Sequence, residues 1–116
     1  MGETIFSKII RREIPAKIVY ENDDVLAFRD INPQAPVHIL VIPKTGEIAA
    51  TTQIRGTEHA QLLGKLFDAV NEIARAEGIS ETGFRVVINS GPESGQEVPH
   101  LHLHILGGRK MNWPPG

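Results

Sequence analysis

Cysteine is absent from the 116-residue sequence, and this absence excludes several kinds of chemistry. Without a thiol the chain can form no disulfide, no cysteine nucleophile and no thiolate zinc site. Long apolar runs are also missing, since no stretch approaches the roughly 18 consecutive apolar residues of a membrane-spanning helix. The first residues, Met1 to Thr4, lack the basic and apolar regions of a secretory signal. We therefore expect a cytoplasmic protein with no membrane partner.

Neither sign of charge is in large excess. The formal net charge is -2 at pH 7, and 22% of the residues are charged. Proteins that coat nucleic acids neutralise many phosphates with Lys and Arg, so this balance argues against a nucleic-acid partner. Hydrophobic residues make up 41% of the chain, which is enough for one core. Because the length is also that of a common single domain, we expect residues 1–116 to form one domain.

The hydrophobic pattern predicts helices and strands in a mixed order. Pro15 ends a short amphipathic helix, while Thr57 can cap a long helix that Gly78 is placed to terminate. The predicted elements are helices at 4–12 and 57–77 and strands at 17–20, 25–28, 37–42, 84–89 and 99–106. They indicate an α+β fold, an antiparallel sheet of about five strands with one long and one short helix. An exposed sheet edge makes a homodimer plausible.

Histidine alternates with apolar residues at His100, His102 and His104. Side chains alternate between the faces of a strand, so a strand here directs all three imidazoles to one face, about 6.6 Å apart. The intervening apolar side chains would enter the core. A single histidine is usually structural, but three at this period form a polar face that ordinary packing does not explain. The segment is therefore the strongest candidate for chemistry.

Two kinds of chemistry suit this face. Imidazoles are common zinc ligands, and His38 is available as a fourth ligand. Alternatively, a neutral imidazole can attack phosphorus to form a covalent phosphoramidate that water later hydrolyses. The loop from Asn89 to Glu97 contains small residues and directly precedes the histidines, where its backbone amides would bind a phosphoryl group. This loop favours catalysis, with no metal and no cofactor.

Four segments of the chain resemble a known family. Residues 96–105, QEVPHLHLHI, are similar to the signature of the histidine triad (HIT) superfamily, and the segments 5–16, 28–38 and 106–116 are similar to its Hint branch. Only the helical region 50–82 is generic. The resemblance implies a single HIT domain and a homodimer whose antiparallel sheet continues across both copies. It also implies hydrolysis of the P–N bond of purine nucleoside 5′-phosphoramidates.

The resemblance assigns a role to each histidine. His102 would be the nucleophile that forms a nucleotidyl-histidine intermediate. His104 would contact the phosphate and the leaving atom, and His100 would orient His102, partly through its backbone carbonyl. His38 would complete the polar cluster. The expected partner of the site is thus a purine nucleoside monophosphate derivative.

The remaining site residues implied by the resemblance bind the substrate. Asp30 would accept both ribose hydroxyls, although an Asp before Asn32-Pro33 also commonly forms a turn. Trp113 would hold the tail against a subunit or reach the partner's pocket. The other implied residues are Asn89 and Gly95 for phosphate and sugar oxygens, and Phe6, Ile9, Ile14, Phe28 and Ile31 for the base.

Two residues depart from the family pattern. Glu97 stands where many members have serine, and its carboxylate would repel phosphate, so only its backbone amide is expected to bind substrate. Pro99 replaces an aromatic or polar residue and removes a ladder donor. Two alternatives stay open: a dinucleoside polyphosphate hydrolase of the Fhit branch, against which the ending Trp113-Pro114-Pro115-Gly116 speaks, and a non-catalytic nucleotide- or zinc-binding interaction module.

Overall fold

The computed structural model describes residues 3–116 and confirms the α+β class. Five antiparallel strands form one sheet in the order β1-β2-β3-β5-β4. None of the helices within these residues is long and apolar enough to cross a membrane. In chain order the elements are α1 (Ile5–Ile10), β1 (Ile18–Glu21), β2 (Val25–Arg29), β3 (Val37–Pro43), α2 (Ala60–Ala76), β4 (Phe84–Val87) and β5 (Leu103–Gly107), with short 3-10 turns at Thr51–Gln53 and Pro92–Ser94.

Alternating side chains of the strands supply two apolar layers. On β3, Ile39 and Val41 pack in the layer that contains α2, whereas Leu40 and Ile42 pack in the layer that contains α1. This period of two is the pattern expected for strands that are covered on both faces. The α1 layer is the smaller one and includes Phe6. It leaves space on its side of the sheet for a cavity.

Helix α1 begins with a reciprocal cap. The hydroxyl of Thr4 accepts the backbone N–H of Ser7 at 3.1 Å, and the Ser7 hydroxyl accepts the backbone N–H of Thr4 at 2.8 Å. Two of the free amides at the helix start are thereby satisfied. The helix is shorter than the predicted 4–12 because Thr4 is the cap and Arg12 has a positive φ of 64°. The cap fixes α1 where Phe6 faces the sheet.

Helix α2 begins later than predicted. Thr57 does not cap it, and His59 occupies the N-cap position. The reason is a turn in which the backbone N–H of His59 donates to the Arg55 carbonyl at 2.8 Å, while the His59 ring accepts the Arg55 N–H. The predicted terminus is correct: Gly78 has a φ of 75°, and Ile79 N–H donates to the Ala74 carbonyl at 3.0 Å.

The histidine segment is the main correction to the predicted strands. Strand β5 begins at Leu103, so His100 and His102 precede it rather than lie within a strand from Pro99 to Leu106. Pro99 has no amide hydrogen, and the backbone N–H of His100 donates to the Val98 carbonyl in a tight turn, so no ladder forms there. Strand β4 consequently ends at Val87 rather than Asn89, because its last partner on β5 is His104.

Candidate active site

A cavity of about 560 Å³ lies on the α1 side of the sheet. Its wall is built from α1, the ends of β2, β3 and β5, and the loop 89–98. Every site residue predicted above lines it except His100 and Trp113. The lining residues from that prediction are Phe6, Ile9, Ile14, Phe28, Asp30, Ile31, His38, Asn89, Gly95, Glu97, His102 and His104.

One end of the cavity is apolar. Phe6, Ile9 and Phe28 are buried, and the Phe6 ring meets the Phe28 ring edge to face at 5.6 Å between centroids. Ile14 is half-buried beside them. Ile31, in contrast, is 96% exposed and contributes only to the rim. A flat heteroaromatic ring would find apolar walls here, most of them already in place.

His100 and His102 are held by backbone carbonyls. The Nδ1–H of His102 donates to the carbonyl oxygen of His100 at 2.7 Å, and the Nε2–H of His100 donates to the carbonyl oxygen of Pro43 at 2.8 Å. A carbonyl can only accept, so each bond fixes the position of the ring proton. The neutral His102 ring therefore keeps an unprotonated Nε2. Phe6 packs against both rings, with centroids 5.8 and 5.0 Å away.

His38 and His104 are held by one another. Leu40 of β3 lies opposite His104 of β5, so His38 is the diagonal neighbour of His104 on the same face. The backbone N–H of Gln34 donates to His38 Nδ1 at 3.0 Å, which places the proton of neutral His38 on Nε2. That nitrogen lies 2.9 Å from Nδ1 of His104 and donates to it. Neutral His104 must then carry its own proton on Nε2.

The Nε2–H of His104 has no hydrogen-bond partner within residues 3–116 although the atom is buried. Unsatisfied buried donors are rare, and a substrate oxygen entering the cavity would satisfy this one. The ring centroid of His102 is 5.1 Å from that of His104. A single phosphoryl group can therefore meet both rings.

Burial favours the neutral forms of His38, His100 and His104. It lowers the pKa of His104 from 6.5 to about 4, with the positive charges of His102 and His38 acting in the same direction and Asp30 opposing them. Burial also lowers the pKa of His38 against the opposing attraction of Asp30. The pKa of His100 is lowered mainly by burial, although its bond to Pro43 favours the charged form. These three rings thus act as neutral donors and acceptors at pH 7.

Asp30 both forms a turn and lines the cavity, the two roles that the sequence suggested for it. One carboxylate oxygen accepts the backbone N–H of Asn32 at 2.8 Å, which is the expected turn. The other lies 3.5 Å from Nε2 of His38 and lines the cavity. The turn therefore leaves acceptor capacity for a hydroxyl group of a ligand.

The loop before the histidines, residues 89–97, has fewer free backbone amides than the sequence predicted. Gly91 N–H donates to the side-chain oxygen of Gln96 at 2.9 Å, and Gly95 N–H donates to the Pro92 carbonyl. Gly95 has a φ of 85°, which a side chain would strain. The amide of Glu97 makes no hydrogen bond within the described residues, and the Glu97 side chain is exposed. Fewer amides than predicted are available for a phosphoryl group.

Sequence reasoning missed the residues that act through their main chain or at a distance. Gln34 orients His38 with its amide, and the carbonyl of Pro43 orients His100. Gln96 ties the loop to the chain, since its side-chain amide donates to the Ala49 carbonyl at 2.6 Å and to the Val98 carbonyl at 3.0 Å. Every residue has a backbone amide or carbonyl, so no sequence signal distinguishes Gln34 or Pro43.

Zinc does not fit the one cluster of possible metal ligands found in residues 3–116. Asp30, His38 and His104 each bring a ligand atom within 4.8 Å of the others, whereas the three alternating histidines do not converge in this way. A metal-binding histidine donates its second ring N–H to an acceptor. His38 Nδ1 instead accepts the Gln34 N–H, so metal binding at its Nε2 would require a doubly deprotonated ring. The donor set suits hydrogen bonding.

Trp113 does not reach the cavity of its own chain. Its side chain is 80% exposed, and the Arg85 guanidinium lies 5.8 Å from the centre of its ring. Arg85 also donates to the Asn112 carbonyl at 2.9 Å. The tail is thereby held along β4, at one edge of the sheet.

The protein belongs to a class of small α+β proteins with a histidine-based site. It combines a five-stranded antiparallel sheet with four clustered histidines beside an apolar cavity. The HIT domain matches residues 11–111, and the chain belongs to the HIT domain family. The resemblance stated above is confirmed. The fold is shared with the crystal structure of a HIT family hydrolase from Legionella pneumophila, at a TM-score of 0.94 and 48% identity, covering 98% of this chain and 100% of that one.

Three of the curated relatives that are similar to this chain have different names. A purine nucleoside phosphoramidase of Escherichia coli is 53% identical, over 94% of this chain and 90% of its own length. An adenylylsulfatase of Arabidopsis thaliana is 52% identical, over 97% of this chain and 76% of its own length. A 14 kDa zinc-binding protein of Zea mays is 54% identical, over 97% of this chain and 88% of its own length.

Proposed function

We propose that this protein hydrolyses the P–N bond of purine nucleoside 5′-phosphoramidates through a covalent nucleotidyl-His102 intermediate. One observation carries the proposal: the Nδ1–H of His102 donates to the His100 carbonyl at 2.7 Å and leaves Nε2 with a free lone pair. A nucleophilic imidazole needs this tautomer. The name of the phosphoramidase relative from Escherichia coli supports the choice of substrate.

In the first step, Nε2 of His102 attacks phosphorus and forms an N–P bond. The P–N bond to the amine breaks, and its electron pair leaves with the amine, which takes up a proton from solvent. The buried Nε2–H of His104 donates to a phosphoryl oxygen as negative charge develops there. A donor fixed before the reaction lowers the barrier most, because it needs no reorganisation.

In the second step, water attacks the phosphorus of the nucleotidyl-His102. The N–P bond breaks, its electron pair returns to Nε2, and the water proton is released to solvent. The product is a nucleoside monophosphate. The same tautomer serves both steps because Nδ1–H of His102 stays bonded to the His100 carbonyl.

The rest of the cavity binds the nucleoside. Phe6, Ile9 and Phe28 enclose the base, and the free oxygen of Asp30 accepts ribose hydroxyls. Aromatic and aliphatic walls suit a purine, whose large ring buries more apolar area than a pyrimidine. The Glu97 carboxylate at the same cavity favours a neutral or cationic amine as the leaving group.

The test is turnover of adenosine 5′-phosphoramidate by wild type, His102→Ala and His59→Ala. We expect His102→Ala to lose activity on the order of 10⁴-fold or more, as for other removed nucleophiles. His59 lies at the start of α2 and does not line the cavity, so His59→Ala should keep wild-type turnover. Undiminished turnover in His102→Ala would refute the proposal.

A second candidate is hydrolysis of adenylyl sulfate, which the name of the Arabidopsis relative favours. The same attack by His102 would then expel sulfate instead of an amine. Glu97 opposes this reaction, because its carboxylate lines the cavity that the departing dianion must leave. We expect the phosphoramidate to have the higher kcat/KM in a direct competition of the two substrates. Diadenosine polyphosphates, which also have anionic leaving groups, should be poorer still.

We further propose that two copies pair through β4. Within residues 3–116 each outer strand of the sheet, β1 and β4, has a neighbouring strand on one side only. The β1 ladder is interrupted between Ile18 and Tyr20, an irregularity that discourages pairing with another strand. The β4 ladder from Phe84 to Val87 is regular and contains a single charged residue, Arg85. Light scattering after size exclusion should give the mass of two chains. Arg85→Pro, which bends β4, should reduce the dimer fraction.

A further inference from the structure

We infer that Arg109 is a positioning residue for the site: it holds the loop whose amide fixes the tautomers of His38 and His104. Its guanidinium donates twice to the carbonyl oxygen of Gln34, from Nη2 at 3.0 Å and from Nε at 3.3 Å. Gln34 is also the residue whose backbone N–H donates to His38. Arg109 thus lies at the start of a chain of hydrogen bonds that ends at His104.

The fold brings the tail to this loop. Val37, the first residue of β3, is paired with Gly107, the last residue of β5, so the chain leaving β5 passes the segment that enters β3. At Gly108 the backbone turns with a φ of 90°, and a Cβ there would lie 2.9 Å from Cβ of Pro36. Only glycine permits both the turn and the close approach. The next residue, Arg109, therefore lies next to Gln34.

Each hydrogen bond in this series determines which atom donates in the next one. Arg109 holds the carbonyl of Gln34, on the peptide unit next to the one that carries the Gln34 N–H. The Gln34 N–H requires a lone pair on His38 Nδ1, and His38 donates from Nε2 to His104. The result is an Nε2–H on His104 that has no partner within residues 3–116. If the Gln34 amide moves away, His38 can hold its proton on Nδ1 instead. His104 must then hold its proton on Nδ1 and present a lone pair to the cavity.

That exchange of tautomers matters for catalysis only if the proposed function is correct. A lone pair on His104 Nε2 would repel the phosphoryl oxygen that Nε2–H would otherwise stabilise. The other pair gives an internal control, because His100 and His102 are fixed by the carbonyls of Pro43 and His100 and have no bond to this loop.

Arginine suits the position better than lysine. Its planar guanidinium places two N–H groups on one carbonyl and stays charged at any pH of interest. A third donor, Nη1–H, reaches the Lys110 carbonyl at 3.2 Å and stiffens the tail at the same point. Lysine would supply one mobile donor. We therefore expect Arg109→Lys to retain part of the function and Arg109→Met, which keeps the length, to lose it.

The experiment is ¹⁵N NMR of the histidine rings at about pH 8, above the ordinary histidine pKa of about 6.5. Wild type, Arg109→Met, Arg109→Lys and the control Arg75→Met would be compared, with His38→Gln and His104→Gln for assignment. Arg75 lies near the end of α2 and has no hydrogen bond to the loop. In wild type, His38 and His104 should both give the Nε2–H signature, and His102 the Nδ1–H signature.

In Arg109→Met we expect His38 and His104 to shift toward the Nδ1–H signature while His100 and His102 stay unchanged, which also shows that the variant is folded. Arg109→Lys should be intermediate and Arg75→Met like wild type. For phosphoramidate turnover we expect kcat of Arg109→Met to fall about tenfold, below the loss typical of a deleted oxyanion donor, with KM nearly unchanged. Unchanged tautomers in Arg109→Met would overturn the inference. This readout stands even if the wild type fails to hydrolyse phosphoramidates.

Discussion

The two histidine pairs of the site are oriented in different ways. His100 and His102 donate to backbone carbonyls, and for His102 the acceptor is only two residues away. His38 and His104 are 66 residues apart and depend on each other, on the register of β3 and β5, and on the Gln34 amide. His102 is therefore fixed by its own segment, whereas His100 is fixed by Pro43 at the end of β3. The second pair depends on how distant parts of the chain pack.

This difference matches the chemistry proposed for each pair. A nucleophile needs one invariant tautomer through both steps, and a short bond to a neighbouring carbonyl provides it. A donor to the phosphoryl group can be adjusted by the loop and the tail that hold it. The following predictions alter one pair or its surroundings and leave the other in place.

The largest effect after loss of the nucleophile is expected from His104→Ala. This change removes the buried Nε2–H donor but leaves His102 bonded to the His100 carbonyl. We expect kcat to fall roughly 10²- to 10³-fold, the cost of one oxyanion donor. Single-turnover kinetics on adenosine 5′-phosphoramidate measure it. A loss as severe as that of His102→Ala would show that the two pairs do not have separate roles.

Stability should depend on pH through the buried histidines. The unfolded chain protonates His104 near pH 6.5, whereas folding lowers its pKa to about 4. Between these pH values the unfolded state binds more protons than the folded state. The contribution of His104 to the free energy of unfolding is therefore fully present above about pH 6.5 and decreases as the pH falls toward 4. The contribution of His104 is at most about 3 kcal/mol.

Urea denaturation of wild type and His104→Gln from pH 7 to pH 4 checks this. We expect a shallower pH dependence in the variant. His38 and His100 should preserve part of the slope, because burial lowers the pKa of both. Equal slopes in the two proteins would contradict the assignment of a low pKa to His104.

Asp30→Asn should weaken binding of the ribose. Asparagine can keep the turn by accepting the Asn32 N–H, but it offers a neutral acceptor to the hydroxyls. Loss of one charge-assisted hydrogen bond predicts an increase in KM of about tenfold, with kcat nearly unchanged. A substrate lacking both ribose hydroxyls should show little difference between wild type and variant. An equal effect on both substrates would exclude Asp30 from ribose binding.

The smallest effect is expected at Glu97. Its exposed carboxylate lines the cavity, so Glu97→Gln should raise the turnover of adenylyl sulfate relative to the phosphoramidate by about two- to threefold. Salt should reduce the difference, because exposed charges are screened. Competition assays at low and high ionic strength measure the ratio. A ratio unchanged by the substitution would show that Glu97 does not select the leaving group.

Much of the fold could be predicted from local patterns. A dense run of β-branched residues closed by Pro43 marked β3, and Gly78 marked the end of α2, because these signals act within a few residues. The alternation of His100, His102 and His104 correctly suggested a face opposite the apolar core. It also suggested a continuous strand, which was wrong. A ladder needs a partner, and the turn at Val98 and Pro99 prevents pairing there.

What the sequence could not reveal depends on groups that every residue has. The amide of Gln34 and the carbonyl of Pro43 determine ring tautomers, yet neither side chain carries that role. Arg109 reaches Gln34 across 75 residues, through the pairing of Val37 with Gly107. Such relations arise only when the strands have paired. The prediction that the amides of the 89–97 loop are free was wrong for the same reason, because several of them form hydrogen bonds within the loop.

The central claim is that His102 becomes covalently attached to the nucleotide. The most direct measurement is mass spectrometry of the protein quenched during turnover of adenosine 5′-phosphoramidate, with fragmentation to locate the adduct. We predict an adenylyl group on His102 in the wild type and in His104→Gln, and none in His102→Ala. Turnover without any adduct, or an adduct on His104, would contradict the claim.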